Sequence, residues 1–305
     1  MKKPRTLALL LGLLVAITLP ACSGAGGSVP VISSAPLPTL APVTQPATTR
    51  PPLLIQFCND DTGSFPRKDF AGANQLMAKS LEAAVSANQQ GVTLFATAIT
   101  HNTFDPNNTL DPAFSIPAIP AFAPAPTPVP THEANDPVTD PATATAVSDQ
   151  NISTITAYNG AVAQLEKTVS DTKADVAKDA KRLTSWNPRL DPIASSILGC
   201  FQLAAARFQN QSGTKLIYIA SDLENNTDID YTQNFVTSQG LKGAIVHVIY
   251  FVSPNATRAQ EKRAEWCPLL KKAGATAVMF SDPTASPTLS DVFNKDAAVA
   301  TLPCQ

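Results

Sequence analysis

The sequence has no excess of charge of either sign and no cysteine and histidine residues at zinc-ligand spacing. Its 22 Lys and Arg residues against 24 Asp and Glu residues give a net charge of −2, with the signs scattered, so nothing indicates nucleic-acid binding. No CxxC motif occurs, and His101, His132 and His247 are isolated. We therefore expect neither a zinc site nor a nucleic-acid partner.

The chain also lacks a hydrophobic run long enough for a comfortable membrane span. The apolar stretch TLALLLGLLVAITLP is about fifteen residues long and follows the basic MKKPR, which is the pattern of a signal peptide. It leads into Leu19-Pro20-Ala21-Cys22, which resembles the lipobox of bacterial lipoproteins. We expect residues 1–22 to be a lipoprotein signal peptide and Cys22 to carry a lipid that anchors the chain to the bacterial cell membrane, facing the extracytoplasmic side. An ordinary signal peptide is the alternative.

Two stretches are too rich in proline for regular secondary structure. Residues 23–52 contain mainly Pro, Ser, Thr and Ala, and we interpret them as a disordered spacer. The second stretch, at about 103–147, is an insertion for which we predict neither helix nor strand. The rest of residues 53–305 suits one domain.

Four cysteines besides Cys22 are present in what we expect to be an exported chain. Their even number suggests two disulfides among Cys58, Cys200, Cys267 and Cys304, and four cysteines allow three pairings. Buried free thiols are the alternative, since Cys58 and Cys200 lie in apolar runs.

Short apolar runs alternate with helical patterns along the domain. We predict strands at Leu53–Phe57, 91–99, Lys215–Ala220, Gly243–Phe251 and Ala275–Phe280, and helices at Ala73–Gln90, at about 148–185, from Asp191 as N-cap, at 257–274 and at 289–296. This alternation is typical of a doubly wound, mainly parallel α/β sheet with helices on both faces, as in Rossmann-like folds. The helix at about 148–185 is a long addition to that fold.

The stretch Asn59-Asp60-Asp61-Thr62-Gly63-Ser64 follows the first predicted strand and has two interpretations. The letters D-T-G-S match an aspartic-protease half-site, but such enzymes need two aspartates on an all-β body, and no second D-T-G or D-S-G occurs. Alternatively, Asp60, Thr62 and Ser64 direct three oxygens at one point, which suits a hard divalent cation. Asp222 follows another predicted strand at the same edge of the sheet and would supply a fourth oxygen.

These residues resemble the motifs of the von Willebrand factor type A (VWA) family. An apolar strand followed by D-x-S-x-S corresponds to Asp60-Asp61-Thr62-Gly63-Ser64, and a strand ending in T-D-G corresponds to Ser221-Asp222-Leu223. Asp191 stands where the family's middle motif has threonine, so it is either a further ligand or a helix cap. The resemblance implies a VWA fold and a cation, Mg²⁺ first with Mn²⁺ or Ca²⁺ as alternatives, held by Asp60, Thr62, Ser64 and Asp222.

The resemblance also implies binding in place of catalysis, with an acidic side chain of a protein ligand at the open position of the cation. We therefore expect a membrane-anchored adhesion or interaction protein that is not an enzyme. Two alternatives stay open. One is an exported hydrolase, a phosphatase or an aspartic-protease-like enzyme, that uses Asp60 or Asp61. The other is a VWA scaffold whose metal site has decayed.

Overall fold

Seven strands form one sheet in the order β3-β2-β1-β4-β5-β6-β7. The computed structural model describes residues 36–43, 51–87, 91–118, 124–129, 141–188, 191, 193–227, 239–249, 256–281 and 301–303. The strands are β1 Leu53–Asp60, β2 Val92–Ile99, β3 Phe114–Ile116, β4 Thr214–Ala220, β5 Ala244–Ile249, β6 Ala277–Ser281 and β7 Thr301–Pro303. The pairs from β2 through β6 are parallel, while β3 and β7 add antiparallel edges.

Helices cover both faces of this sheet, which confirms the predicted α/β class. The described helices are α1 Arg67–Ala87, α2 Pro141–Thr184, α3 Ile197–Phe208 and α4 Ala256–Lys272. On one face, α1 and the end of α2 pack on alternate residues of β1, namely Leu53, Ile55 and Phe57. On the other face, α3 packs on β1 and β2 and α4 packs on β6, and Leu54 and Cys58 of β1 belong to this second core cluster. Because β1 is buried on both sides, its sequence from Leu53 to Cys58 does not alternate and is apolar except for the hydrogen-bonded Gln56.

Three predicted boundaries are wrong. The first helix, predicted to begin at Ala73, begins at Arg67. The proline-rich insertion contains a short 3-10 helix at Pro106–Asn108, the edge strand β3 and the first turns of α2, which begins at Pro141. The helix predicted to begin at Asp191 begins at Ile197 with Ser196 as N-cap. Asp191 instead forms an isolated parallel bridge with Thr62.

A disulfide joins Cys58 on β1 to Cys200 on α3, across 142 positions of sequence. Both cysteines are fully buried. Cys267 is disulfide-bonded as well. Cys22, the signal peptide, Cys304 and the predicted helix at 289–296 lie outside the described residues.

The order of the strands creates a topological switch point between β1 and β4. The chain proceeds from β1 to β2 and β3 on one side, and it returns to the other side of β1 at β4. The carboxyl ends of β1 and β4 therefore flank the topological switch point, where open α/β sheets bind their ligands. Asp60 ends β1, and Ser221 and Asp222 follow β4. No described helix is both long and apolar enough to cross a membrane.

Candidate metal centre at the sheet edge

The carboxylate of Asp60 is the innermost group of the candidate site and is fully buried. Its Oδ1 accepts hydrogen bonds from the Thr62 backbone N–H at 3.2 Å and the Thr62 hydroxyl at 2.7 Å. Its Oδ2 accepts a hydrogen bond from the Ser221 hydroxyl at 2.6 Å. Asp60 is thus bound from its own loop and from the loop after β4, as the sheet order requires.

The hydroxyl of Thr62 connects three segments of the chain. Besides donating to Asp60, its Oγ1 accepts a hydrogen bond from the Ser195 hydroxyl at 2.8 Å and lies 3.3 Å from the Ser64 hydroxyl. Thr62 and Ser195 are buried, whereas Ser64 is exposed. The polar cluster therefore extends from the buried Asp60 carboxylate to the protein surface at Ser64.

Burial raises the pKa of Asp60 from 3.8 to about 7, although the hydrogen bonds from Ser221 and Thr62 act in the opposite direction. The negative charge of Asp222 raises this pKa further. Among the described residues, no ion pair involves Asp60. A buried carboxylate beside a second carboxylate is an environment that favours a cation.

The loop before α3 brings Ser195 to the cluster, and not Asp191, which was the residue predicted from the sequence. The Asp191 carboxylate accepts hydrogen bonds from the backbone N–H of His101 at 2.8 Å, from the His101 ring, and from the N–H of Ile193 at 3.0 Å. Burial alone would raise the pKa of Asp191, but these hydrogen bonds outweigh it and lower the pKa. The side chain from this loop that hydrogen-bonds with Thr62 is Ser195.

Two asparagines after β4 hold the Ser195 loop in place. Asn226 Oδ1 accepts from the N–H of Ser195 at 2.6 Å, and Asn225 Oδ1 accepts from the N–H groups of Ile197 and Leu198 at 2.9 and 3.3 Å. Asn225 thereby caps α3, while the N-cap residue Ser196 makes no side-chain cap. The signal available in the sequence was Ser195-Ser196 directly before the apolar run ILGCF, which is typical of a helix start.

Asp61 points away from this cluster. Its carboxylate pairs with Arg67, whose guanidinium also donates to the Pro188 carbonyl at 2.9 Å. Burial raises the pKa of Asp61 to about 6, despite the opposing charge of Arg67. The second carboxylate oxygen, Oδ2, is buried and has no protein partner among the described residues. Asp61 therefore belongs to a contact between α1 and the segment that follows α2.

Leu223 stands where the T-D-G motif, which Ser221-Asp222-Leu223 resembles, has glycine, and it takes a backbone conformation that glycine adopts easily. Its φ is 61°, in the left-handed region, which is costly for a residue with a branched side chain. The side chain is 1% exposed and packs in the core with α3 and α4. The Trp266 indole N–H donates to the Leu223 carbonyl at 3.1 Å. Core packing thus holds the turn that glycine would otherwise permit.

The structure therefore brings together Asp60, Thr62 and Ser64 of the predicted ligand set, and it adds Ser195 and Ser221. Asp222 is half-buried, and its Oδ1 accepts from the N–H of Glu224 at 3.0 Å. No group of three or more His, Cys, Asp or Glu side chains suited to a metal occurs in the described part of the chain. The cluster around Asp60 differs from such a group, because its other members are the hydroxyls of threonine and serine. Such hard oxygen donors can bind Mg²⁺ or Ca²⁺.

No protein-family model matches the chain. No curated protein matches it either. Among solved structures, the chain is similar to the human COPII-coat protein Sec24c, with 8% sequence identity and a TM-score of 0.31. The alignment covers 77% of this chain and 30% of the Sec24c chain.

Proposed function

We propose that this chain is a membrane-anchored, VWA-like binding protein that takes a divalent cation at the switch point of its sheet. The cation, Mg²⁺ first and Mn²⁺ or Ca²⁺ as alternatives, binds an acidic side chain of a protein ligand. The lipobox at Cys22 supports the membrane anchor. The hydrogen bonds that link Ser195, Thr62, Asp60 and Ser221 in one buried cluster support the proposal for the cation.

The side chains fit a hard cation for two reasons. First, all of them offer oxygen, and the hydroxyls that now donate to Asp60 can turn their lone pairs toward a cation. Second, Asp60 is fully buried with no cationic side chain as partner in the described part of the chain, and Asp222 adds a second negative charge beside it. Asp60, Thr62, Ser64 and Asp222 would hold the cation, directly or through water, while Ser195 and Ser221 support them.

A bound cation would supply positive charge and an open coordination position. The protein around it provides orientation: the hydrogen bond from Ser195 holds Thr62 toward Asp60, and Asn226 holds Ser195. Ser64 is exposed and Asp222 is half-buried, so a ligand carboxylate approaching from solvent meets this side of the cluster first. This arrangement suits recognition of an acidic side chain, because contacts of a carboxylate with a cation or a hydroxyl are stronger than contacts between neutral groups.

Calorimetric titration of the full chain with MgCl₂ and with MnCl₂ tests the cation. The double variant Asp60→Ala, Asp222→Ala should lose the binding heat of the wild type, while an Asp175→Ala variant on α2 should keep it. Binding heat that is the same in the wild type and in the double variant would sink the proposal. A pull-down from surface extracts, with and without chelator, then tests for a cation-dependent protein ligand.

A hydrolase is the second candidate, and one observation favours it. Asp60 and Asp61 are both buried, and their pKa values are raised to about 7 and about 6, which suits either carboxyl for general acid–base catalysis. A screen for phosphatase and protease activity separates the two functions. Activity that is lost in Asp61→Asn and kept in Ser64→Ala would favour the enzyme.

A VWA scaffold with a decayed metal site is the third possibility. It predicts that neither Mg²⁺ nor Mn²⁺ produces binding heat with the wild type while the domain stays folded.

A further inference from the structure

One face of the first half of α2 is buried without belonging to the core of the sheet. The residues of α2 that join the core are Val176, Ala180 and Leu183, all in its second half. Nevertheless Asn151 and Ile155 in the first half are only 4% and 2% exposed. Other parts of the chain must therefore cover this face, and two of them are proline-rich.

The side-chain amides of two asparagines on the same face of α2 bind backbone groups of these proline-rich segments. Asn159 accepts from the N–H of Ala41 at 2.9 Å and donates to the carbonyl of Thr39 at 2.9 Å. Asn151 accepts from the N–H of Val129 at 3.0 Å and donates to its carbonyl at 2.8 Å. We name residues 36–43 the spacer strip and residues 124–129 the insertion strip.

The two strips share a sequence pattern although they lie far apart in the chain. Both read Pro-x-Pro-Thr-x-x-Pro, starting at Pro36 and at Pro124. Ala41 and Val129 occupy the same position of the pattern, and each provides the N–H that an asparagine binds. Asn151 and Asn159 are eight positions apart, which places them on one face of the helix with Ile155 between them.

This arrangement has a clear physical basis. Proline has no backbone N–H and restricts its own φ, so a proline-rich segment is partly ordered before it binds and loses little entropy. The few remaining N–H groups and carbonyls are the features by which it can be recognised. A side-chain amide offers one donor and one acceptor group and can satisfy both together. An apolar residue such as Ile155 beside the amide provides contact area.

We propose that the first half of α2 is a binding surface for proline-rich extended chain, with the spacer strip and the insertion strip as its ligands. The spacer strip is then part of the folded domain. If Cys22 carries the membrane anchor, as the proposed function has it, only residues 23–35 separate the anchor from the domain. Their full extension is at most about 45 Å, against about 100 Å for residues 23–52. Docking of the strip therefore limits how far the domain can move from the membrane.

Backbone NMR order parameters of Thr39 and Val43 in the full chain test this proposal. In the wild type we expect values near 0.8, and in Asn159→Ala we expect them to fall below about 0.6. Gln164→Ala, which removes an exposed amide from α2, is the matched control and should leave them unchanged. Equal values in Asn159→Ala and Gln164→Ala, or values below about 0.6 in the wild type, would overturn the proposal.

A pair of proline substitutions in the spacer strip tests the pattern without changing α2. Ala41→Pro removes the N–H that Asn159 binds and should release the strip. Leu40→Pro should keep it docked, because Pro128 stands at that position in the insertion strip. Release by Leu40→Pro to the same extent would contradict recognition of this pattern. None of these readouts involves the cation, so their outcome is separate from that of the proposed function.

Discussion

The hydroxyl of Ser195 donates a hydrogen bond to the hydroxyl oxygen of Thr62 at 2.8 Å, although the two residues are 133 positions apart. Both are buried, and Thr62 in turn donates to Asp60. The contact joins the loop after β1 to the loop before α3, so the orientation of Thr62 depends on both. Its effect on the proposed cation can be measured with single substitutions.

Ser195→Ala should weaken Mg²⁺ binding about 3- to 30-fold, which corresponds to about 0.6–2 kcal/mol. The substitution leaves Thr62 without the donor that orients it. Ser153→Ala, at an exposed position of α2, is the matched control and should bind like the wild type. Titration calorimetry provides both dissociation constants. An affinity for Mg²⁺ that is equal in Ser195→Ala and in the wild type would contradict a supporting role for Ser195.

Asp60→Asn should weaken cation binding strongly and Asp61→Asn should leave it almost unchanged, although the residues are adjacent. Asp60 is held by Thr62 and Ser221 within the cluster, so the loss of its charge should weaken Mg²⁺ binding more than about 100-fold, or about 2.7 kcal/mol. Asp61 pairs with Arg67 outside the cluster, so its substitution should change the affinity less than about threefold. Calorimetric titration of each variant with Mg²⁺ measures the two affinities. A larger loss of affinity in Asp61→Asn than in Asp60→Asn would show that Asp61, and not Asp60, binds the cation.

At Leu223, the glycine variant should be more stable than the alanine variant, which is the reverse of the usual order of stability. Leu223→Ala should destabilise the domain by about 2–5 kcal/mol because it removes a buried side chain and keeps the left-handed φ. Leu223→Gly loses the same side chain but relieves a backbone cost of about 1–2 kcal/mol, so it should be the more stable of the two. Urea unfolding measures the difference. A glycine variant less stable than the alanine variant would show that φ at this position carries no cost.

Without a cation, the stability of the wild type should fall relative to Asp60→Asn as pH rises from about 4 to about 7. The folded state raises the pKa of Asp60 from 3.8 to about 7, so it binds the proton more tightly than the unfolded chain does. The stabilisation is therefore complete below the unfolded pKa and is lost as pH rises through the folded pKa. The change should be roughly 2–4 kcal/mol. Urea unfolding in chelator measures it, and a difference between the two proteins that is constant with pH would contradict it.

The sheet and its helices were predictable because the central strands bury both faces. The runs LLIQF and KLIYIA are apolar on both faces for that reason, apart from Gln56 and the first residue Lys215, and both lie within observed strands. Helix starts were less predictable. Asp191-Pro192 has the residues of a helix N-terminus, yet α3 starts at Ile197. The bridge from Asp191 to Thr62 and the cap from Asn225 decide that boundary, and both come from distant parts of the chain.

By itself, the sequence determined that Asp60, Thr62 and Ser64 follow a buried strand and that Asp222 follows another. In a parallel sheet this places all four at one edge, because the strands end there together. Only the tertiary structure decided that the side chain from the third loop to reach Thr62 is Ser195, while the Asp191 carboxylate is bound to His101. The reason is that β1 lies beside β4 and α3 packs on β1 and β2. Contacts between loops depend on that arrangement of strands and helices, which local sequence patterns do not contain.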